Sequence, residues 1–138
     1  MWVQSIELVD RPYRGYWAQQ GWSASAVVRT ESRIDTPRRA RAGVPTWVAG
    51  VAWAGLRGIA RVEVSLDDGR TWREATLNPS LSRSAWTQWA YRWTPERPGR
   101  HALRCRAADG SGRLQDARRR PPHPSGASGY HRVTVDVA

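Results

Sequence analysis

Ser65, Asp67, Gly69, Thr71 and Trp72 spell S-x-D-x-G-x-T-W, which sets a carboxylate between two hydroxyls. Such a group can move protons, or it can hold the backbone donors of a turn. Gly69 decides for the turn, because glycine accepts the positive φ of a reversal and Asp, Ser and Thr oxygens bond nearby amides. Trp72 is expected to pack beneath this hairpin and be largely buried, with Asp67 bonding turn backbone. The only thiol is Cys105, in an alternating LRCRA stretch where a buried, inert cysteine is expected. His101, His123 and His131 have no H-x-x-x-H spacing, so they give no metal site and no nucleophile–base pair. The remaining chemistry lies in guanidinium clusters. Arg38, Arg39 and Arg41 form one, and Arg118, Arg119 and Arg120 the other. Clustered guanidinium groups attract oxyanions and bond them bidentately.

Charge and composition restrict the partners. The 138 residues carry a net charge of +10, and every one of the 22 basic residues is Arg. The arginines are scattered outside the two clusters, as a bias towards GC-rich codons would leave them, so no nucleic-acid partner is expected. There are nine Trp, four Tyr and no Phe. Trp combines a large apolar surface with one N–H donor, which suits half-buried strand faces and interfaces. No apolar run approaches the roughly 18 residues of a membrane span. Glu7, Asp10 and Arg11 interrupt the N-terminus too early for a signal peptide.

The elements that must position these residues are strands. Alternation predicts strands at Trp2 to Val9, Val27 to Pro37, Thr46 to Trp53, Ile59 to Leu66, Trp72 to Leu77, Trp86 to Trp93, His101 to Ala107 and Tyr130 to Val137. Asp67-Asp68-Gly69 closes a hairpin. Thr94 to Gly99 and Asp109 to Gly112 are turns, and Arg118 to Gly129 is a proline-rich loop. Strict alternation groups Thr87, Trp89, Tyr91 and Trp93 on one face. Strands and turns at this spacing predict an all-β immunoglobulin-like sandwich of about seven antiparallel strands, preceded by an N-terminal extension strand. A barrel is the structural alternative. The S-x-D-x-G-x-T-W run is similar to the Asp-box of sialidase-type propellers, but one copy in a short chain makes no propeller.

Ordered motifs give the chain a family resemblance. Trp2, Ile6, Glu7, Gly15, Tyr16 and Trp17 resemble the segment that follows the molybdopterin domain in the sulfite oxidase family, with Met1 where a Lys is expected. GVAWAG from Gly50, then Ile59, VEVS from Val62, Asp68-Gly69, Thr71-Trp72 and Ala75 resemble the core of that family's C-terminal domain. Trp86, Trp89, Trp93, Gly99, Arg106-Ala107, Asp109 and Gly112 to Gln115 continue the likeness, and Gly129 to Val133 resembles its closing G-W-H-x-V strand with Tyr for Trp.

The resemblance implies a non-catalytic dimerisation and support module, whose molybdenum–molybdopterin cofactor sits in a preceding domain of the same parent protein. No cofactor, metal or catalytic residue is expected in this chain. Residues 1–30 would continue from that domain and 31–138 would form the sandwich, with Met1 an artificial or alternative start. The implied partners are the molybdopterin domain and a second copy, through contact surfaces that include Trp2, Trp17, Trp22, Trp86, Trp89 and Trp93. Arg118, Arg119, Arg120 and His123 would face the cofactor domain. In animal-type members an Arg before the last strand reaches the substrate pocket, and here that position falls at His123. A free-standing sandwich that binds carbohydrate or protein is the other reading. The sequence gives no address for compartment or membrane.

Overall fold

Strand formation here follows the alternation of bulky residues, and the centre of the molecule lies where two such strands face each other. A computed structural model describes residues 2–25 and 27–138. Met1, and with it the expectation about the start, lies outside the described residues. The strands are β1 Glu31–Thr36, β2 Arg39–Ala40, β3 Thr46–Trp53, β4 Ile59–Ser65, β5 Arg73–Glu74, β6 Thr76–Leu77, β7 Thr87–Trp93, β8 Gly99–Asp109 and β9 His131–Val137. A single helical turn, α1, spans Tyr16–Gln19, and a 3-10 turn spans Gly55–Arg57.

The strands form two sheets, ordered β1-β3-β7-β6 and β2-β9-β8-β4-β5. Long neighbours pair antiparallel; β2 and β9 run parallel. The chain crosses between sheets within a few residues. β5 pairs with β4 in the second sheet, and β6 pairs with β7 in the first. Buried Ala75 is the crossing point. The return strand read at Trp72 to Leu77 is therefore two short strands, one in each sheet.

Side chains between the sheets build one core. Val48, Ala52 and Trp89 come from the first sheet, and Val62, Val64, Leu103, Cys105 and Val135 from the second. Full burial of each large aliphatic side chain stabilises the fold by about 1.5–3 kcal/mol. Trp89 is buried with its Nε1–H unbonded, which offsets part of what its ring contributes. Gly50 is required by proximity: a Cβ there would collide with the carbonyl oxygen of Arg33 on β1.

Two further sequence expectations change. Trp2 to Val9 is not a strand, and its side chains up to Leu8 stand in solvent, with Trp2 92% and Leu8 99% exposed. Alternation gives a strand only when a neighbouring backbone accepts its hydrogen bonds, and among the described residues none does so here. The strand expected at Val27 to Pro37 shortens to β1, because residues 27–30 run along the end of the sandwich.

Candidate functional site

The hairpin between β4 and β5 uses its own polar groups. Thr71 donates its backbone N–H to Asp67 Oδ1 at 2.9 Å and its hydroxyl to Oδ2 at 2.6 Å. The Ser65 hydroxyl donates to Asp67 Oδ1 at 2.7 Å and accepts the Gly69 N–H at 2.7 Å. The Thr71 hydroxyl, followed by the Thr71 amide and Ser65, holds the Asp67 carboxyl down at about 2. Asp68, at φ 60, points the other way and receives Arg132 at 2.8 Å and Arg104 at 2.7 Å. Those two guanidinium groups bring it to about 2 as well.

Trp72 is half-buried rather than largely buried. Its ring lies 4.1 Å beneath the Arg106 guanidinium and edge-on to Tyr130. It covers the outer face of the second sheet, where a long charged side chain rather than the core forms its lid.

Cys105 is fully buried, and desolvation pushes its thiol up to about 12. His131 stands opposite it in the β8–β9 ladder. The imidazole is occupied elsewhere, since Nδ1 accepts the Ile34 N–H at 3.0 Å and so ties the second sheet to the first. Burial, and then the Arg33 cation, lower the His131 pKa. His101 lies edge-on to Trp93, with Nε2 donating to the Arg97 carbonyl at 2.9 Å. His123 packs on Trp22. These placements set the three imidazoles to separate tasks. Among the described residues, no group of three or more His, Cys, Asp or Glu is placed to hold a metal ion. Cys105 in particular does not fit a metal thiolate, because it is both protonated and enclosed.

The most organised polar site lies at the end of the sandwich where the N-terminal segment enters. Asp109 is buried. Its Oδ1 accepts the Ser111 hydroxyl at 2.6 Å and the Ser111 and Arg113 amides, each at 3.1 Å. Its Oδ2 accepts Arg57 Nε at 2.9 Å and the Thr30 hydroxyl at 3.3 Å. The Ser111 hydroxyl and then Arg57 keep this carboxyl at about 2. Arg57 reaches on to the Val28 carbonyl at 3.0 Å, which fastens the entering segment to the sandwich. Gln115 performs a similar task beside it, accepting from Ser32 at 2.8 Å and donating to the Gly129 carbonyl at 2.8 Å. The sequence places Asp109 in a turn and Gln115 in the family likeness, but it does not show the bonds that join them to Arg57, Thr30 and Ser32. The buried Asp-Gly-Ser-Gly turn was the available signal, since a carboxylate before such a turn commonly bonds its amides.

A groove of about 980 Å³ opens beside these residues, lined by Trp17, Trp22, Val28, Leu114 and Pro124 among others. The proline-rich loop closes its side. Ser23 N–H donates to the Pro124 carbonyl at 2.9 Å, and Arg29 donates to the Ser125 carbonyl at 3.0 Å. The structure thus joins Trp17 and Trp22 to His123. Arg120 pairs with Asp116 at 3.0 Å, while Arg118 and Arg119 are exposed.

The other aromatic candidates separate. Trp86 is about half exposed and stacks on Trp53. Trp2 is exposed on the unpaired segment. Trp89 and Trp93 are 1% and 6% exposed and point into the core, so they are not contact-surface residues. The face they share with Thr87 is the one the second sheet covers. Trp47, 56% exposed on β3, belongs among the surface aromatics instead. No helix among the described residues is long and apolar enough to cross a membrane.

Two facing sheets with a polar clasp at one end define an immunoglobulin-like sandwich. The Mo-co oxidoreductase dimerisation domain family matches residues 16–137, and the chain belongs to that family. It is similar to the sulfite oxidase of Gallus gallus, at 36% identity over 92 residues, which is 62% of this chain and 20% of that protein. It is also similar to the crystal structure of the sulfane dehydrogenase SoxCD from Paracoccus pantotrophus, with a TM-score of 0.64 and 25% identity over 78% of this chain and 30% of that one. A CARDB domain from Pyrococcus furiosus shares the fold at a TM-score of 0.51 and 14% identity, over 80% of this chain and 94% of that one. The chain spans about a fifth of the length of the curated relative it matches.

Proposed function

We propose that this chain is the dimerisation and support module of a molybdenum oxidoreductase of the sulfite oxidase type, and that the clasped end of the sandwich packs on the cofactor domain of the same parent protein. The observation that carries the second half is the clasp itself. Arg57, Asp109 and Thr30 fix the direction in which the entering segment leaves the sandwich, beside a groove with an apolar wall. A domain preceding the segment would be delivered to that end, and Trp17 and Trp22 would be covered there.

Cys105, protonated and enclosed, does not suit the molybdenum centre; on the family reading that centre would be held by the preceding domain. This chain's contribution to the site would be charge. Arg118 and Arg119 are exposed beside the groove loop and available to an anionic substrate. The Asp67 hairpin is a structural staple that closes β4 onto β5.

Hydrogen exchange tests the docking. Amides of residues 17–29 are expected to exchange more slowly in the full parent protein than in the 138-residue chain, and equal rates would end the reading. For the basic loop, replacing Arg118, Arg119 and Arg120 with Gln in the parent should raise the substrate KM with little change in kcat. An unchanged KM would remove the loop from substrate binding.

A further inference from the structure

The first sheet turns its outer face away from the core, and that face has an uneven relief. β3 presents Trp47, Ala49, Val51 and Trp53 there, since Val48 and Ala52 take the inner side. Ala90 of β7 lies beside Ala49 in the register. At one end Trp53 is locked. Its ring stacks on Trp86 with centroids 5.7 Å apart, and its Nε1–H donates to the Ser84 carbonyl at 2.9 Å. At the other end, about 20 Å away by strand rise, Trp47 projects alone. The small side chains of Ala49 and Ala90 form a low floor between them. A projecting ring beside a shallow floor on one patch is self-complementary, which is what a two-fold, same-surface contact requires.

Charge separates this face from its counterpart. Its ionisable groups are Glu31, Arg33, Asp35 and Arg92, two of each sign, and Arg33 is already bonded to Asp35 at 2.6 Å. The outer face of the second sheet instead carries Arg61, Arg104, Arg106 and Arg132 in rows, paired with Glu63 and Asp68. A second copy laid on that face would bring guanidinium rows of a +10 chain together and strip water from the part-exposed pairs that Arg104 and Arg132 make with Asp68. A second copy on the first sheet meets a neutral, largely apolar surface.

We propose that the outer face of the β1-β3-β7-β6 sheet is the surface on which a second copy of this chain docks, face to face about a two-fold axis. The proposal rests on the dimerisation reading above and adds the face. Trp47, 56% exposed, is its anchor, the kind of large aromatic residue whose loss dominates interface energy.

Sedimentation and cysteine cross-linking of the 138-residue chain test it together. The native thiol is enclosed and will not interfere. Ala90→Cys should give an oxidised dimer, and Thr134→Cys on the outer face of the second sheet should not. Trp47→Glu should weaken the dimer about 30-fold or more, with an unchanged far-ultraviolet spectrum showing that it folds. Cross-linking through Thr134→Cys alone, a dimer in which neither cysteine cross-links, or a folded Trp47→Glu that dimerises normally would overturn the face and leave dimerisation standing. The face also falls if Trp47→Glu loosens the preceding domain in the parent while dimers persist. A wild-type chain that stays monomeric at every concentration would remove the dimerisation reading, and this proposal with it.

Discussion

The segment from Trp2 to Val9 and the strand β7 are both short alternating stretches built around Trp, and they occupy opposite extremes of burial. β7 bonds β3 on one side and β6 on the other, and Trp89 is 1% exposed. The N-terminal segment has no ladder partner among the described residues, and Trp2 is 92% exposed. Alternation selects which side chains share a face. A partner decides whether that face is buried. In β7 the partner is within the chain; for the N-terminal segment it must come from elsewhere if it comes at all.

Four measurements would break or sharpen that contrast. The largest effect is expected from Trp89→Ala, which leaves a cavity the size of an indole and should cost about 3–5 kcal/mol in urea unfolding. Trp89→Phe sharpens the point. It removes the unbonded Nε1–H along with some volume, so it should cost far less, about 1 kcal/mol. A Phe variant as unstable as the Ala variant would show that the indole donor finds a partner in solution.

Next comes the clasp. Asp109→Ala removes the acceptor for Arg57, Thr30 and the turn amides, and should cost about 2 kcal/mol. The same variant should speed hydrogen exchange at residues 28–30. Unchanged exchange there would mean the entering segment is held by something other than the carboxylate.

The third effect depends on pH. His131 must be neutral to accept the Ile34 amide, and burial with Arg33 holds its pKa below the ordinary 6.5. The unfolded chain therefore takes the proton first as pH falls. Stabilisation is complete above about 6.5 and is lost as pH drops through the lower folded value. His131→Gln should flatten the stability curve in that window. Asp67, Asp68 and Asp109 act in a separate window, where stability falls as pH drops below 3.8 towards about 2.

The smallest effect belongs to the N-terminus. Trp2→Ala and Ile6→Ser should change the stability of the chain by less than about 0.5 kcal/mol. A larger loss would mean that the segment packs on the sandwich after all.

Much of this fold was legible because strands announce themselves locally. β3 occupies the predicted Thr46–Trp53, and β4, β7 and β9 fall within a residue of their predicted bounds. The features that escaped are those joining distant positions. Arg57 bonds Asp109 across 52 residues, and Ser32 bonds Gln115 across 83. The sheet crossing at Ala75 depends on which neighbours β5 and β6 find. The misplacement of Trp89 and Trp93 on a contact surface has the same origin. Their shared face with Thr87 is visible in the alternation, but the direction in which it turns is set by the second sheet.

Cys105 has one more consequence. Its thiol lies on the central β8 strand with no exposed surface, and burial holds it protonated to about pH 12. A thiol-modifying reagent can therefore reach it only while the two sheets are apart. Where labelling outruns reclosure, its rate counts separations of the sheets. The single cysteine is thus a built-in clock for the opening of the sandwich, read out by mass with no engineered probe.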